Sequence, residues 1–302
     1  MKSFLKLLFG SLATTSNNSS PSSPSSSSTM QPVQLEVCLS PGCIADGGEA
    51  TLKKCMALAP PDKVTVRKGG CVSACGNGPV ARENDKIIHK RVTDVAIVPL
   101  LEELLAGVSE GEGEGKGEKT RTIPREVVEG YEIVLQAEEE AAASNFECAI
   151  SSYERGIHLA VENSVDLDLK RIIESDGDSD SLFPIDDRFR VRLPPPPPTN
   201  FEWIIQAFCG LSKAKLRMKD YDGALTAAYK ACHLSRGRDP TCWEVVAQIC
   251  QECNNAPREM EALRNIFTLQ EVLEGEDLPR DVANRRRMQG FRLAKLERDV
   301  SA

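Results

Sequence analysis

Three stretches of this 302-residue sequence contain long runs that are too polar or too rich in proline to bury a core. They are residues 1–30, which end in a Ser/Pro-rich tract, the Gly/Glu-rich run 108–123, and the acidic, polyproline-bearing segment 164–200. Such segments cannot offset the entropy lost on ordering. We therefore predict a disordered N-terminal tail, a flexible linker, and two folded domains, 31–107 and 124–302, with 164–200 as an insertion in the second.

The negative charge is concentrated in the middle of the sequence. Residues 108–200 carry 21 acidic and 10 basic side chains, and the whole chain has a net charge of -8. A nucleic-acid-binding protein needs a basic face, so no nucleic-acid partner is expected. No run of about 20 apolar residues is present either, so no transmembrane segment is expected.

The N-terminal tail has the composition of a targeting sequence. Met1 to Ala13 is apolar with two lysines, a Ser-rich tract follows, and no acidic residue precedes Glu36. Ser-rich, acid-poor, weakly basic N-termini resemble organelle transit peptides. We expect an organelle protein, in the plastid with the mitochondrion as the alternative. The Leu/Phe run also fits a secretory leader, and an untargeted disordered tail is the third possibility.

Residues 31–107 alternate in a way that predicts a small α/β domain. The predicted order β-α-β-β-β-α follows from a strand at 33–37, a helix at 49–58, a strand at 64–66, a hairpin around Asn84-Asp85 and a helix at 95–105. A unit of this size is only marginally stable without a staple.

Four of the eleven cysteines form a candidate metal site that could stabilise this domain. Cys38 and Cys43 are separated by four residues, and Cys71 and Cys75 by three. Each pair is expected in a loop after a strand, where nearby glycines allow the backbone to approach the sulfurs; these are Gly42, Gly70, Gly76 and Gly78. Four thiolates suit a [2Fe–2S] cluster, and zinc remains an alternative.

The block Gly70–Pro79, GCVSACGNGP, and the preceding Cys-x4-Cys resemble the thioredoxin-like [2Fe–2S] ferredoxins. The resemblance covers residues 33–107 and implies a thioredoxin-like fold whose cluster ligands are Cys38, Cys43, Cys71 and Cys75. It also implies one-electron transfer to a redox partner protein. A thioredoxin-type thiol exchanger is less favoured, because it needs Cys-x-x-Cys after the first strand.

The second domain is predicted to be all-α and repetitive. In two segments an aromatic residue precedes an alanine by three, and small or aromatic residues follow that alanine at plus four and plus seven. The segments contain Phe146, Ala149, Tyr153 and Gly156, and Tyr221, Ala224, Ala228 and Ala231. They resemble the second helix of a tetratricopeptide repeat. A third unit starts at Trp243, but its second helix is out of step by three residues. The resemblance implies a surface that binds a peptide or protein partner.

The remaining candidates are weaker. Cys55 and the six cysteines after residue 124 are expected to pack at helix contacts, although Cys250 and Cys253 form a conceivable redox pair. His89 is expected at the surface, and the Arg285–Arg287 run on a solvated helix face. No nucleophile triad, phosphate loop or acid/base carboxylate pair is present, so an enzyme is not expected. The sequence favours a [2Fe–2S] electron-transfer or cluster-carrying protein docked through helical repeats. The alternative is a scaffold in which the metal is only structural.

Overall fold

The structure is a computed structural model of the full chain. It describes residues 32–60, 63–71, 73–74, 78–109, 123–162, 169–170, 202–273 and 280–301. These residues form ten named helices and one four-stranded sheet. No helix among them is long and apolar enough to cross a bilayer. The predicted N-terminal tail lies outside the described residues, as do nearly all of the predicted linker and insertion.

The sheet is small and mixed. Its strands are β1 (Val33–Cys38), β2 (Val64–Gly69), β3 (Ala81–Glu83) and β4 (Ile87–His89), in the spatial order β2-β1-β3-β4. Strands β1 and β2 are parallel, whereas β3 pairs antiparallel with both β1 and β4. In the three-residue connection between β3 and β4, Asn84 and Asp85 have positive φ, as the two central residues of a type I′ turn require, and the Lys86 N–H donates to the Glu83 carbonyl at 2.9 Å. The predicted hairpin is thus confirmed.

The helices that accompany the sheet are α1 (Pro41–Ala45), α2 (Gly48–Leu58) and α3 (Asp94–Ser109). Leu35 and Val37 of β1 are fully buried in the apolar core. Glu36, which lies between them, accepts a hydrogen bond from Arg67 on β2 at 2.6 Å and pairs with Arg82 on β3. One face of the sheet is therefore apolar, and the other carries charge pairs. The predicted element order holds, with α1 as an addition and α3 ending later than expected.

Seven more named helices follow in the described part of the chain. They are α4 (Arg125–Ala142), α5 (Phe146–Glu162), α6 (Glu202–Arg217), α7 (Tyr221–Leu234), α8 (Pro240–Glu252), α9 (Ala256–Leu273) and α10 (Arg280–Ser301). The first six form three consecutive packed pairs, α4 with α5, α6 with α7, and α8 with α9, and neighbouring pairs contact each other. This arrangement confirms the prediction of an all-α region.

The same turn joins the two helices of every pair. One residue of each turn has a positive φ, and these residues are Ser144, Lys219 and Asn254. In each case the backbone N–H of the next residue donates to a carbonyl in the last turn of the preceding helix, at 2.8 to 3.0 Å. The three pairs are therefore copies of one local structure, as a repeat predicts.

Close helix contacts in the first two pairs depend on small residues. In the first pair, a Cβ added to Gly156 would lie 2.7 Å from the carbonyl oxygen of Gly130. In the second pair, the buried Ser212 hydroxyl donates to the carbonyl of Ala224 at 2.7 Å. Counted from the shared turn, Glu259 of α9 occupies the position of Ala224, which is why the third unit looked out of step in the sequence.

The sheet region and the helical region contact each other through α2 and α4. Lys54 of α2 is only 4% exposed, and its Nζ lies 2.9 Å from Asp94 Oδ1 and 3.2 Å from Glu132 Oε1 of α4. Met56 and Tyr131 line a small crevice beside this contact. The described residues from 32 onward accordingly belong to one compact unit.

Candidate functional site

Two of the four predicted ligands lie together at the carboxyl end of β1. Cys38 is the last residue of β1 and is 3% exposed, and Cys43 lies in α1 and is 2% exposed. The two side chains form a small buried cluster with Val80, against which Ala74 packs. The backbone N–H of Cys38 donates to the carbonyl of Val80 at 2.9 Å, so the chain returning from β2 is held against the two thiols.

Polar groups reach these sulfurs from two sides. The Cys38 thiol donates to Ser40 Oγ at 3.3 Å, and the Cys43 thiol points to the carbonyl of Gly78 at 3.8 Å. Burial raises the pKa of the Cys43 thiol, and the neighbouring Cys38 raises it further, while a hydrogen bond with Ser40 acts in the opposite direction. The Cys43 thiol is thus kept in its neutral form, and a metal that binds it has to displace a proton.

Cys71 lies at the same edge of the sheet but is exposed. Cys38 pairs with Gly69 in the parallel β1–β2 ladder, and Cys71 follows two residues later. The backbone N–H of Ser73 donates to Cys71 Sγ at 3.4 Å. Cys75 lies outside the described residues. Among the residues that are described, no three Cys, His, Asp or Glu side chains come together as a metal-holding group, so Cys71 does not join Cys38 and Cys43 in one.

The local structure around the first pair differs from the prediction. Both cysteines were expected in a loop, but Cys38 belongs to a strand and Cys43 to a helix. The sequence Ser40-Pro41 explains the helix, because proline favours the first helical position and Ser40 takes the extended N-cap conformation. Ser40 itself was missed as a polar neighbour of the sulfurs.

The glycines have different roles from those expected. A Cβ at Gly42 or Gly70 would meet nothing within 4 Å. By contrast, a Cβ at Gly48 would lie 2.8 Å from the Cys43 carbonyl oxygen and 2.9 Å from that of Cys38. Gly48 therefore lets α2 begin directly against both cysteine backbones. Gly78 has a φ of +73°, which side chains rarely adopt, and Gly76 lies outside the described residues.

His89 and Cys55 do not belong to the candidate centre. His89 is partly buried rather than on the surface, and its Nε2 lies 3.2 Å from Glu83 Oε2. Cys55 is fully buried in the main core, where burial raises its pKa to about 12. The prediction that Cys55 is a packing residue is confirmed.

Four cysteines of the helical region are buried packing residues, as predicted: Cys209, Cys232, Cys242 and Cys250. Cys209 Sγ and Cys242 Sγ lie 3.8 Å apart across α6 and α8. This contact and burial raise the pKa of Cys209 far above its ordinary value. Cys253 is half-buried at the end of α8, where its thiol points back to the Cys250 carbonyl at 3.6 Å. The expectation was wrong for Cys148, which is exposed.

A groove in the helical region is large enough for a peptide side chain. It has a volume of about 580 Å³ and lies between the turn that joins α4 to α5 and the carboxyl-terminal half of α6. Its lining includes Phe146, Tyr153, Gly210, Lys213 and Arg217. The two cations and the absence of an acidic side chain from its described lining favour a ligand with negative charge.

No protein-family model matches the chain, and no curated protein matches it significantly.

Proposed function

We propose that residues 31–107 bind a [2Fe–2S] cluster through Cys38, Cys43, Cys71 and Cys75. The observation that carries this proposal is the buried pair of thiols at the carboxyl end of β1, beside the strand that leads to Cys71. Thiolates are the ligands that such clusters take. The element order, strand-helix-strand-strand-strand-helix, is also the order of the thioredoxin-like ferredoxins that the motif resembles.

The bound cluster would supply one-electron chemistry. The chain's own residues would hold it and control access to it. Val80 and Ala74 shield the Cys38–Cys43 side from water, whereas Cys71 is exposed. An electron-transfer or cluster-carrying role needs such a partly open edge, because the partner has to come close to the sulfurs.

The helical pairs would dock the cysteine region to a partner protein. Three copies of one helix pair, fixed to α2 through Lys54, support an adaptor of the tetratricopeptide type. The cationic groove beside α6 is the part of this adaptor that suits an acidic segment of the partner. We place the protein in an organelle, the plastid before the mitochondrion, on the composition of residues 1–30 alone.

Single cysteine substitutions test the ligand set. We expect Cys38→Ser, Cys43→Ser, Cys71→Ser and Cys75→Ser, each prepared anaerobically, to lose most of the bound iron and the visible absorbance of the protein. Cys148→Ser is the matched control, because this exposed thiol lies outside the proposed centre and its loss should leave both unchanged. Equal iron in all five variants would refute the proposed ligands.

The alternative is an assembly scaffold in which the metal site, iron–sulfur or zinc, is only structural. Zinc in place of iron and sulfide would leave the site without redox chemistry, and an iron–sulfur cluster without reversible one-electron reduction would be structural as well. Either result would overturn electron transfer and leave the helical pairs as the functional part.

A further inference from the structure

The last helix, α10, is attached to the helical pairs mainly by polar contacts. Of its described side chains, Leu296 is buried at 6% exposure and Leu293 packs partly against the core. Four further contacts are ion pairs or hydrogen bonds to charged groups: Arg285 with Glu244, Gln289 with Glu244, Arg292 with Glu259, and Glu297 with Arg264. These contacts fix which side of α10 faces the protein.

The Arg292–Glu259 pair is the centre of this attachment. Arg292 donates to both carboxylate oxygens of Glu259, at 2.7 and 2.8 Å, and the Glu259 side chain is only 3% exposed. Glu259 occupies the position that alanine holds in the first two pairs. The third pair thus holds Arg292 of α10 through a buried carboxylate. This contact fixes the orientation of α10 relative to the third pair.

The opposite side of α10 exposes two large apolar side chains. Met288 is 66% exposed and Phe291 is 65% exposed, and at a spacing of three they lie on one helix face. Arg287, Lys295 and Arg298 are exposed on the same side. Neither Arg287 nor Lys295 forms an ion pair with any residue that the structure describes. We call these five residues the outer face of α10.

We propose that the outer face of α10 docks onto an anionic lipid surface. An exposed pair of apolar side chains flanked by cations is the pattern of a helix that lies in a membrane interface. Phe291 and Met288 would enter the boundary between headgroups and acyl chains, and Arg287, Lys295 and Arg298 would lie against the anionic headgroups.

A lipid surface suits this face better than an acidic peptide does. Met288 and Phe291 protrude into solvent at about two-thirds exposure instead of lining a cleft. An apolar anchor of a peptide complex is usually held in a pocket, and the cationic groove beside α6 already offers that geometry elsewhere. This inference does not depend on the metal bound by the cysteines.

Vesicle sedimentation of the full chain tests the proposal. We expect binding to mixed phosphatidylcholine–phosphatidylglycerol vesicles, weaker binding at high salt, and little binding to phosphatidylcholine alone. Each cation near an anionic surface strengthens binding about fivefold. Reversing two charges in Arg287→Glu/Lys295→Glu should therefore weaken it at least about 25-fold. Met288→Ser/Phe291→Ser should weaken it through lost apolar burial.

Matched variants keep the test specific to α10. Lys63→Glu/Lys86→Glu makes the same change in net charge at exposed lysines of the sheet region, and Val95→Ser removes an apolar side chain that is 84% exposed on α3. Both should bind vesicles like the unchanged protein. All substituted residues are exposed, and thermal unfolding followed by circular dichroism verifies the fold.

Three results would overturn the proposal. The first is no binding of the unchanged chain to anionic vesicles. The second is equal binding of the outer-face variants and their controls, which would place any lipid contact elsewhere, for example in the apolar residues 1–13. The third is retention by immobilised polyglutamate but not by vesicles, which would assign the outer face to an acidic protein partner.

Discussion

Two groups of cysteines in this protein are equally buried and yet differently built. Cys38 and Cys43 end a strand and a short helix, with Ser40 and the Gly78 carbonyl within reach of their sulfurs. Cys209 and Cys242 lie between packed helices and contact each other at 3.8 Å. Burial alone therefore does not identify a functional thiol. The first group differs from the second in two ways: its sulfurs have polar partners, and it lies at a sheet edge that a ligand can reach.

The comparison also explains why the two groups differ in reactivity. The pKa of Cys209 is far above its ordinary value because of Cys242 and burial, and the pKa of Cys250 is raised to about 12 by burial. Burial raises the pKa of Cys43 as well, so the two groups differ in access: packed helices enclose Cys209 and Cys242, which makes them poor nucleophiles and poor ligands. The edge of the sheet instead leaves Cys71 exposed near the buried pair Cys38 and Cys43.

The largest expected difference between the two regions is in alkylation rate. In metal-free protein we expect iodoacetamide to modify Cys71 at least about 100-fold faster than Cys209 or Cys242, because the buried thiols react only after local opening. Mass spectrometry of digested samples measures each site.

Cys148 is the internal control for this measurement, because it is exposed although it belongs to the helical region. It should react like Cys71. If Cys209 or Cys242 reacts as fast as these two, the helix contacts do not protect their thiols from the reagent. The proposed difference between the two groups of cysteines would then be wrong.

The next effect concerns how closely each region packs its backbone. Gly156→Ala should destabilise the protein by about 2 kcal/mol, because overpacking outweighs the higher helix propensity of alanine. The new Cβ would meet Gly130 and Val134 at under 3 Å. Gly42→Ala, in α1 beside Cys43, should leave stability unchanged or raise it slightly, because open space surrounds Gly42 and alanine has the higher helix propensity. Chemical denaturation of both variants measures the difference. Equal midpoints would contradict the close contact between α4 and α5 at Gly130 and Gly156.

A smaller effect tests the contact between the regions. Lys54→Ala should cost about 1 to 2 kcal/mol, because it removes a buried stem and a cation shared by Asp94 and Glu132. Lys53→Ala is the control, because Lys53 is exposed on the same helix. Denaturant unfolding measures both variants. If they are equally stable, α2 and α4 are held together by other contacts.

The smallest effect is a pH dependence in the helical region. Burial lowers the pKa of His233 in the folded chain. The unfolded chain then takes up a proton first as pH falls below about 6.5, so stability is full above that pH and declines below it. His233→Gln should reduce this decline in a series of thermal melts. His158→Gln, which removes an exposed histidine, should keep it, and identical curves for both variants would reject the effect.

Much of the fold was predictable because it is encoded locally. Alternation in β1, the Asn84-Asp85 turn and the small residues of α5 and α7 each point to one local structure. The third helix pair was harder to recognise, because the position of a small residue is taken by Glu259, which pairs with Arg292 on α10. That partner lies 33 residues further along the chain.

The candidate site was less predictable for a similar reason. Spacing singled out Cys38 and Cys43, whose proximity the structure shows. Spacing could not show that Ser40-Pro41 starts a helix between them, or that Gly48 rather than Gly42 touches the cysteine backbone. The helix start is signalled by Ser40-Pro41 rather than by the cysteine spacing, and the Gly48 contact depends on where α2 packs, which the sequence pattern does not contain.

Metal and sulfide analysis of the full chain, purified without oxygen, tests the central claim most directly. A [2Fe–2S] centre held by Cys38, Cys43, Cys71 and Cys75 predicts about two irons and two acid-labile sulfides per chain, with a reduced form that is visible by electron paramagnetic resonance. A chain that contains zinc without sulfide, or no metal at all, would contradict it.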